Sequence, residues 1–329
     1  MGVVKGGSPA RLDEAFLEKP GLWSPNRPRP GLADRIWVHR YVYLMVLPTV
    51  ALYVILSYLP ISGVMLAFKE FDYAKGLWGS PWIGTQVFRE LFGLPNFWRA
   101  VRNSVSISLL KLFCGFPVPI VMALLLNEVR GKYFKKTVQT VTFLPNLLSW
   151  AVLGVVFTAV FSQTQGYVNH FIDAIFGIRI DFLHDSMWFR PTLIVTSIWA
   201  GMGYGMVIYL AGLTVIEPEL YEVATLDGAG RFQRMLHVSL PGLMPVILTQ
   251  LILSVGYMMY AGFTQVYVMY NPMVYDVGDI IETYVYRIGL QDGNYSLATA
   301  TGLFQSGLGV ILMLAVNRIS KKMADRSIF

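Results

Sequence analysis

Six apolar stretches, each near the length of a membrane-crossing helix, constrain this chain more than any other feature. They lie at residues 41–68, 104–126, 141–161, 191–213, 246–268 and 298–316, against the roughly 20 residues a helix needs to cross a bilayer. Composition agrees. The chain is 55% hydrophobic and only 14% charged, whereas a soluble domain carries about 25% charged residues. Lipid is therefore the solvent for much of it. The predicted fold is an all-α integral membrane protein with six transmembrane helices.

Lysine and arginine set the orientation. With a cytoplasmic N-terminus, the inside segments 1–40, 127–140, 214–245 and 317–329 carry 7, 4, 2 and 4 Lys/Arg, while the outside loops carry 5, 2 and 1. The positive-inside rule then puts both termini in the cytoplasm. The net charge of +6 is thus a topology signal and not a nucleic-acid footprint. Residues 1–40 are polar, rich in Pro and Gly, and lack the apolar core of a signal peptide. They read as a cytoplasmic tail ahead of a transmembrane domain at 41–329. The single cysteine, Cys114, excludes a disulfide framework or a Cys-based zinc site and reads as a small hydrophobe inside a helix.

Catalytic patterns are missing. There is no G-x-x-x-x-G-K-[ST], so the chain cannot cradle ATP phosphates in a P-loop, and neither H-E-x-x-H nor G-x-S-x-G occurs. His39, His170, His184 and His237 are scattered without metal-ligand spacing. The run GMGYG at 201–205 lies inside an apolar stretch with no strand before it, so it reads as small residues that let helices approach closely. No catalytic residue, metal site or bound cofactor is expected.

One polar insert breaks the apolar pattern: YEVATLDGAGRFQRMLHVSLPGLMP, residues 221–245. Upstream, Pro218 suits a first helical position, and Glu217, Glu219 and Glu222 favour the helix N-terminus. Asp227-Gly228 signals a turn. A second helix restarts with Phe232, Met235 and Leu236 on one side and is expected to stop at Pro241. Taken with the upstream Glu217 and Glu219, the segment 214–245 has no lysine and is net acidic, unlike a lipid-surface helix. A protein partner explains it better.

This insert resembles the EAA loop of bacterial ABC importer permeases of the maltose-type, type I family. Glu222, Ala224, Asp227, Gly228, Ala229, Leu240 and Pro241 match that pattern, and Val223 replaces its first alanine. LLLNEVRGKYFKKTVQTVTFLPNLLSW and YSLATATGLFQSGLGVILMLAVNRISKK resemble the branch serving complex oligosaccharides and polysaccharide fragments. The resemblance implies a sugar permease of the bacterial inner membrane, with its core unit at about residues 100–317. It also implies three kinds of partner: a second permease, two ATP-binding subunits that use ATP and Mg, and an extracytoplasmic solute-binding protein. The insert would then be a cytoplasmic coupling helix between spans four and five. Its docking residues would be Glu222, Ala224, Asp227, Gly228, Ala229, Arg231 and Arg234.

Polar residues inside spans are pathway candidates. Gln250, Ser254, Tyr257, Ala261 and Gln265 recur at helical spacing in span five, as do Thr196, Trp199 and Gly203 in span four, with Tyr204 adjacent. Aromatic rings beside amides and hydroxyls suit sugars; interhelical packing is the competing reading. Lys111, in span two, has three roles open to it: snorkelling outward, pairing with an acid, or attracting an acidic sugar, and snorkelling is the most economical. Phe97, Trp98, Trp188 and Phe189 sit where interfacial belts belong. Pro48, Pro60, Pro117, Pro119 and Pro145 are expected to kink their spans.

Two other classes compete. A secondary transporter would need intramembrane Asp, Glu or His, and the six stretches have none. A non-transporting scaffold would need neither the Gly-centred loop nor the polar stripe, whereas a permease for a non-sugar solute would share the loop. Topology is directly testable in a Cys114→Ser background. Lys132→Cys and Gly228→Cys should label only from the cytoplasmic side and Asp276→Cys only from outside; external labelling at position 228 would contradict the six-span arrangement.

Overall fold

Helices account for every long element, as expected where lipid leaves backbone groups to satisfy one another. A computed structural model describes residue 37 and residues 39–324, so the predicted tail at 1–40 falls almost wholly outside the described residues. Among the described residues the only β pairing is an isolated bridge between Lys69 and Trp82. The chain divides into two units, residues 1–62 and 63–329. In the first, α1 (Arg40–Tyr58) accommodates Pro48 in its interior. A 3-10 stretch, Leu59–Phe68, follows it.

The larger unit contains α2 (Gln86–Gly93), α3 (Pro95–Leu110), α4 (Pro117–Asn127), α5 (Lys132–Phe143), α6 (Trp150–Phe161) and α7 (Tyr167–Phe176). It continues with α8 (Ser186–Leu213), α9 (Pro218–Leu226), α10 (Arg231–Arg234), α11 (Leu240–Gly256), α12 (Phe263–Met269), α13 (Ile281–Tyr286) and α14 (Tyr295–Ala324). Five continuous helices are long and apolar enough to cross a membrane: Arg40–Phe68, Pro95–Asn127, Ser186–Leu213, Arg231–Gly256 and Tyr295–Arg318. Among the described residues, Lys132–Leu147 and Trp150–Phe161, which bend by 105° at their junction, make a sixth candidate when the pair is counted as one span. The span expected at 141–161, with a kink at Pro145, is broken into two helices there. Pro145 sits in the 3-10 turn Leu144–Leu147, and Ser149 caps α6 by accepting a bond from Val152 N, so one helix ends and another begins.

Two prolines act otherwise than expected. A helical proline clashes with the carbonyl four residues back, which for Pro117 and Pro241 belongs to Phe113 and His237. Both carbonyls fall in π turns, Lys111–Gly115 and Met235–Ser239, whose wider hydrogen-bond pattern displaces them. Pro241 consequently does not stop the helix, and Arg231–Gly256 is one continuous span.

The fifth span needs the opposite correction. Hydropathy carries on to Val268, but the helix stops at Gly256. Gly262, at φ +97°, then opens α12, a backbone conformation that costs a side-chain-bearing residue strain. Residues 257, 261 and 265 therefore do not extend the face that carries 250 and 254.

Packing centres on α8. It buries Phe189, Leu193, Thr196, Ala200, Gly203 and Met206 and packs against α4, α5, α11 and α12. Phe97 and Phe189 are fully buried, in the clusters around Leu91 and around Leu193 respectively. They are core residues and not the interfacial belt read from sequence; Trp98 is exposed. Gly203 meets the chain of α5 so closely that a Cβ there would stand 2.1 Å from Thr142 O, whereas a Cβ at Gly201 would meet nothing within 4 Å. Gly203→Ala should therefore lower thermal stability in detergent by about 1–3 kcal/mol, the usual cost of overpacking. Gly201→Ala should not, which gives the comparison its control.

Candidate functional site

The polar insert forms a short helix, a turn and the start of a span. Pro218 occupies the first turn of α9 and Glu219 lies beside it. After Leu226 the chain reverses at Gly228, whose φ of +80° favours glycine. Gly228 N donates to Thr225 O at 3.1 Å and Ala229 N to Ala224 O at 2.9 Å, closing the helix end. Gln233 Oε1 accepts from Gly230 N at 2.8 Å and secures the restart. Arg234 donates to Thr225 Oγ1 at 2.8 Å, and the hydroxyls of Tyr221 and Ser239 are 3.0 Å apart. These bonds tie α9 to the base of the fifth span. Ala224, Asp227, Gly228, Ala229 and Arg234 line a concavity of about 270 Å³ with His237; Glu222 and Arg231 lie exposed outside it.

α9 buries none of its residues. Leu220, Val223 and Leu226 are 51%, 56% and 87% exposed, and Phe232 adds to this uncovered apolar surface. A solvated helix gains nothing from that arrangement, whereas a helix seated on another protein does.

The second polar focus is the break in span five. Lys111 Nζ donates to Ala261 O at 2.7 Å and to Gln265 Oε1 at 2.6 Å. This replaces the snorkelling expected of Lys111, because a buried carbonyl and amide are nearer partners than the interface. Gln265, only 2% exposed, donates to Leu193 O and Thr196 Oγ1. It is therefore a packing residue and does not line an open pathway. Gln305 reaches from α14 to Met259 O at 2.9 Å. The Glu282 carboxylate lies against the amides of Ala261, Gly262 and Phe263, with its Oε2 buried and taking no hydrogen bond. A Cβ at Gly262 would stand 3.1 Å from Lys111 Nζ, so this approach also requires the glycine.

Beside the break is a concavity of about 290 Å³ lined by Ser108, Lys111, Leu112, Phe116, Ser254, Tyr257, Met258 and Tyr260. It unites three residues singled out from sequence, Lys111, Ser254 and Tyr257. Gln250 stays one turn below, its carbonyl accepting from Ser254 Oγ. On α8, Thr196 and Gly203 are buried in packing while Trp199 and Tyr204 are exposed, and Trp199 meets Phe157 edge-on. The sequence reading missed Tyr260 and Ser108, whose buried Oγ has no partner. The one local signal was the pair Gly256 and Gly262 bracketing the run Tyr257-Met258-Met259-Tyr260-Ala261.

A buried polar cluster fixes the segment after α12. Asn103 Nδ2 donates to the carbonyls of Asp276 and Asp279, and Arg190 donates to Asn103 Oδ1 and Val277 O. Asp279, fully buried, pairs with Arg287 and accepts from Thr283. In the loop before α8, burial works to raise the Asp181 carboxyl, but hydrogen bonds from the His184 side chain and backbone outweigh it and hold that carboxyl below its ordinary range.

Residues 115–325 match the family described as binding-protein-dependent transport system inner membrane component. The chain is similar to Protein LplB of Bacillus subtilis (strain 168), 40% identical over 88% of this chain and 91% of that protein. It is also similar to the polygalacturonan/rhamnogalacturonan transport system permease protein YteP of the same organism, 38% identical over 92% of this chain and 94% of that one. Among solved structures it resembles a chain of a bacterial alginate ABC transporter, crystallised with an alginate pentasaccharide-bound periplasmic protein. That chain is 34% identical with a TM-score of 0.82, covering 90% of this chain and 99% of that one. The broken helices, the exposed helix–turn and the polar node thus belong to a transport permease: the chain is a member of the binding-protein-dependent transport system inner membrane component family.

Proposed function

We propose that this chain is one permease subunit of an ABC importer that carries an oligosaccharide across the bacterial cytoplasmic membrane by alternating access. Residues 41–329 form the transmembrane domain and both termini lie in the cytoplasm. A solute-binding protein delivers the substrate from outside, a second permease completes the pathway, and two ATP-binding subunits use ATP and Mg. The chain itself binds neither. The relatives' names support a uronate-bearing substrate, since polygalacturonan and alginate are both acidic polysaccharides.

The observation that carries this reading is α9. It exposes Leu220, Val223 and Leu226 yet is hydrogen-bonded to the start of a continuous 26-residue span, Arg231–Gly256. A rigid helix of that kind can pass a partner's movement into the membrane, a rigid-body mode of switching. Glu222, Ala224, Asp227, Gly228, Ala229, Arg231 and Arg234 are the proposed contact set. Lys111, Ser254 and Tyr257 are proposed to meet substrate at the break, with Trp199, Tyr204 and Gln250 further along the pathway. Gln265 supports this set from behind.

The test uses the complete transporter in proteoliposomes. Glu222→Arg reverses a charge on the docking surface, and Gly228→Pro is incompatible with φ +80°. Both should leave pairing with the second permease intact. Each should lower uptake and substrate-stimulated ATP hydrolysis together by roughly tenfold or more, as reversed charge at an interface does. Normal uptake by a well-expressed Glu222→Arg protein would contradict the docking role.

A further inference from the structure

The short helix after the break presents an aromatic surface that packing alone does not explain. Phe263 and Tyr267 stand four residues apart on α12 and so share one face, Tyr270 follows the last helical residue in extended backbone, and Gln265, Val266 and Met269 are buried. The rings form a connected ribbon. Phe263 stacks on Tyr267 with centroids 5.2 Å apart, and Tyr267 meets Tyr286 at 4.8 Å and Tyr270 at 6.0 Å. Tyr270 in turn stacks on Tyr275 at 5.1 Å. The Arg287 guanidinium lies 4.6 Å from the Tyr275 ring centre, its charge balanced by Asp279. Two more rings, Tyr257 and Tyr260, 6.5 Å apart, line the concavity at the break.

The chemistry of this ribbon is specific. All but one of its rings carry a hydroxyl, so each offers an apolar face together with a polar rim. A pyranose presents the matching pair: an apolar face of C–H groups and a rim of hydroxyls. Contacts passing from ring to ring let a sugar take up its next stacking partner before it leaves the last, so no step releases it into water. A lipid belt would put its aromatics at the two membrane interfaces. This ribbon instead leads from the outer segment held by Asp279 and Arg287 to the break with its Lys111 node.

We propose that Tyr275, Tyr270, Tyr267 and Phe263, with Tyr286 beside them, are a track on which successive sugar rings of an incoming oligosaccharide stack before they reach Tyr257 and Tyr260. The proposal rests on the oligosaccharide-import reading and adds to it the residues that engage an extended chain. A track with several stacking positions gains more from a long substrate than from a short one.

The experiment measures uptake of oligogalacturonides of increasing length by the complete transporter carrying Tyr267→Leu or Tyr267→Phe. Tyr267→Leu should raise the concentration for half-maximal uptake of the longest oligomer by roughly tenfold, the scale on which a lost apolar contact discriminates, and should affect the disaccharide less. Tyr267→Phe should keep most of the wild-type behaviour, because the ring remains. Wild-type uptake by Tyr267→Leu at every length would overturn the track. So would loss of the second permease on purification of Tyr267→Leu, since the ribbon would then be a subunit interface. Should the wild-type transporter import no oligogalacturonide, Tyr267→Trp reads the ribbon separately. A fluorescence change on adding the oligomer, relative to wild type, supports the track even though the import reading with this sugar has failed. No change overturns the track.

Discussion

A helix that breaks inside a membrane protein must find partners for the backbone groups it frees, since lipid supplies none. That constraint governs the half of the molecule around the break in span five. Between Gly256 and Gly262, the Met259 carbonyl is taken by Gln305 and the Ala261 carbonyl by Lys111. Tyr260 N closes back on Tyr257 O, and Glu282 sets its carboxylate against the amides that open α12. The partners come from three different parts of the chain. The break is thereby a built element, and it turns α12 so that Gln265 plugs into α8 while Tyr267 stays exposed.

The same helix links the two functional ends. It begins at Arg231, one turn from α9, and ends at the break beside Tyr257. On the coupling proposed above, rigid movement of α9 would pass along this single span to the concavity of Ser108, Lys111 and Tyr260. The π turn Met235–Ser239 lets that span continue past Pro241 without losing its stiffness to a kink. Close glycine contacts, Gly212 on Leu243 and Gly242 on Ile216, hold its N-terminal half to the chain around the end of α8.

Much of this was legible in the sequence, where local rules decide. The positions of the first and fourth spans follow from length and hydropathy. The start of α9 at Pro218 and the turn at Gly228 follow from proline and glycine geometry. The rest depends on contacts between distant parts of the chain. Val266 and Val268 extend the apolar stretch 246–268, but Val266 belongs to a protein core and Val268 packs on Gly154. Hydropathy therefore runs straight through the break. Lys111 looked like a snorkelling residue because its acceptor, Ala261 O, lies 150 residues away. Phe97 and Phe189 have the composition of an interfacial belt and the burial of a core, and sequence alone does not separate the two. Pro241 resembled a stop because a π turn leaves no compositional trace.

Hydrogen exchange at the break tests the central claim most directly. Amides of the segment 257–266, followed in the intact protein in nanodiscs, should exchange far more slowly than those of the exposed turn 227–230. Lys111→Met, which strips the Ala261 carbonyl and Gln265 of their donor, should speed exchange in 257–266 and leave 227–230 unchanged. Exchange at 257–266 as fast as at the turn in the wild-type protein, or unaltered by Lys111→Met, would contradict the account.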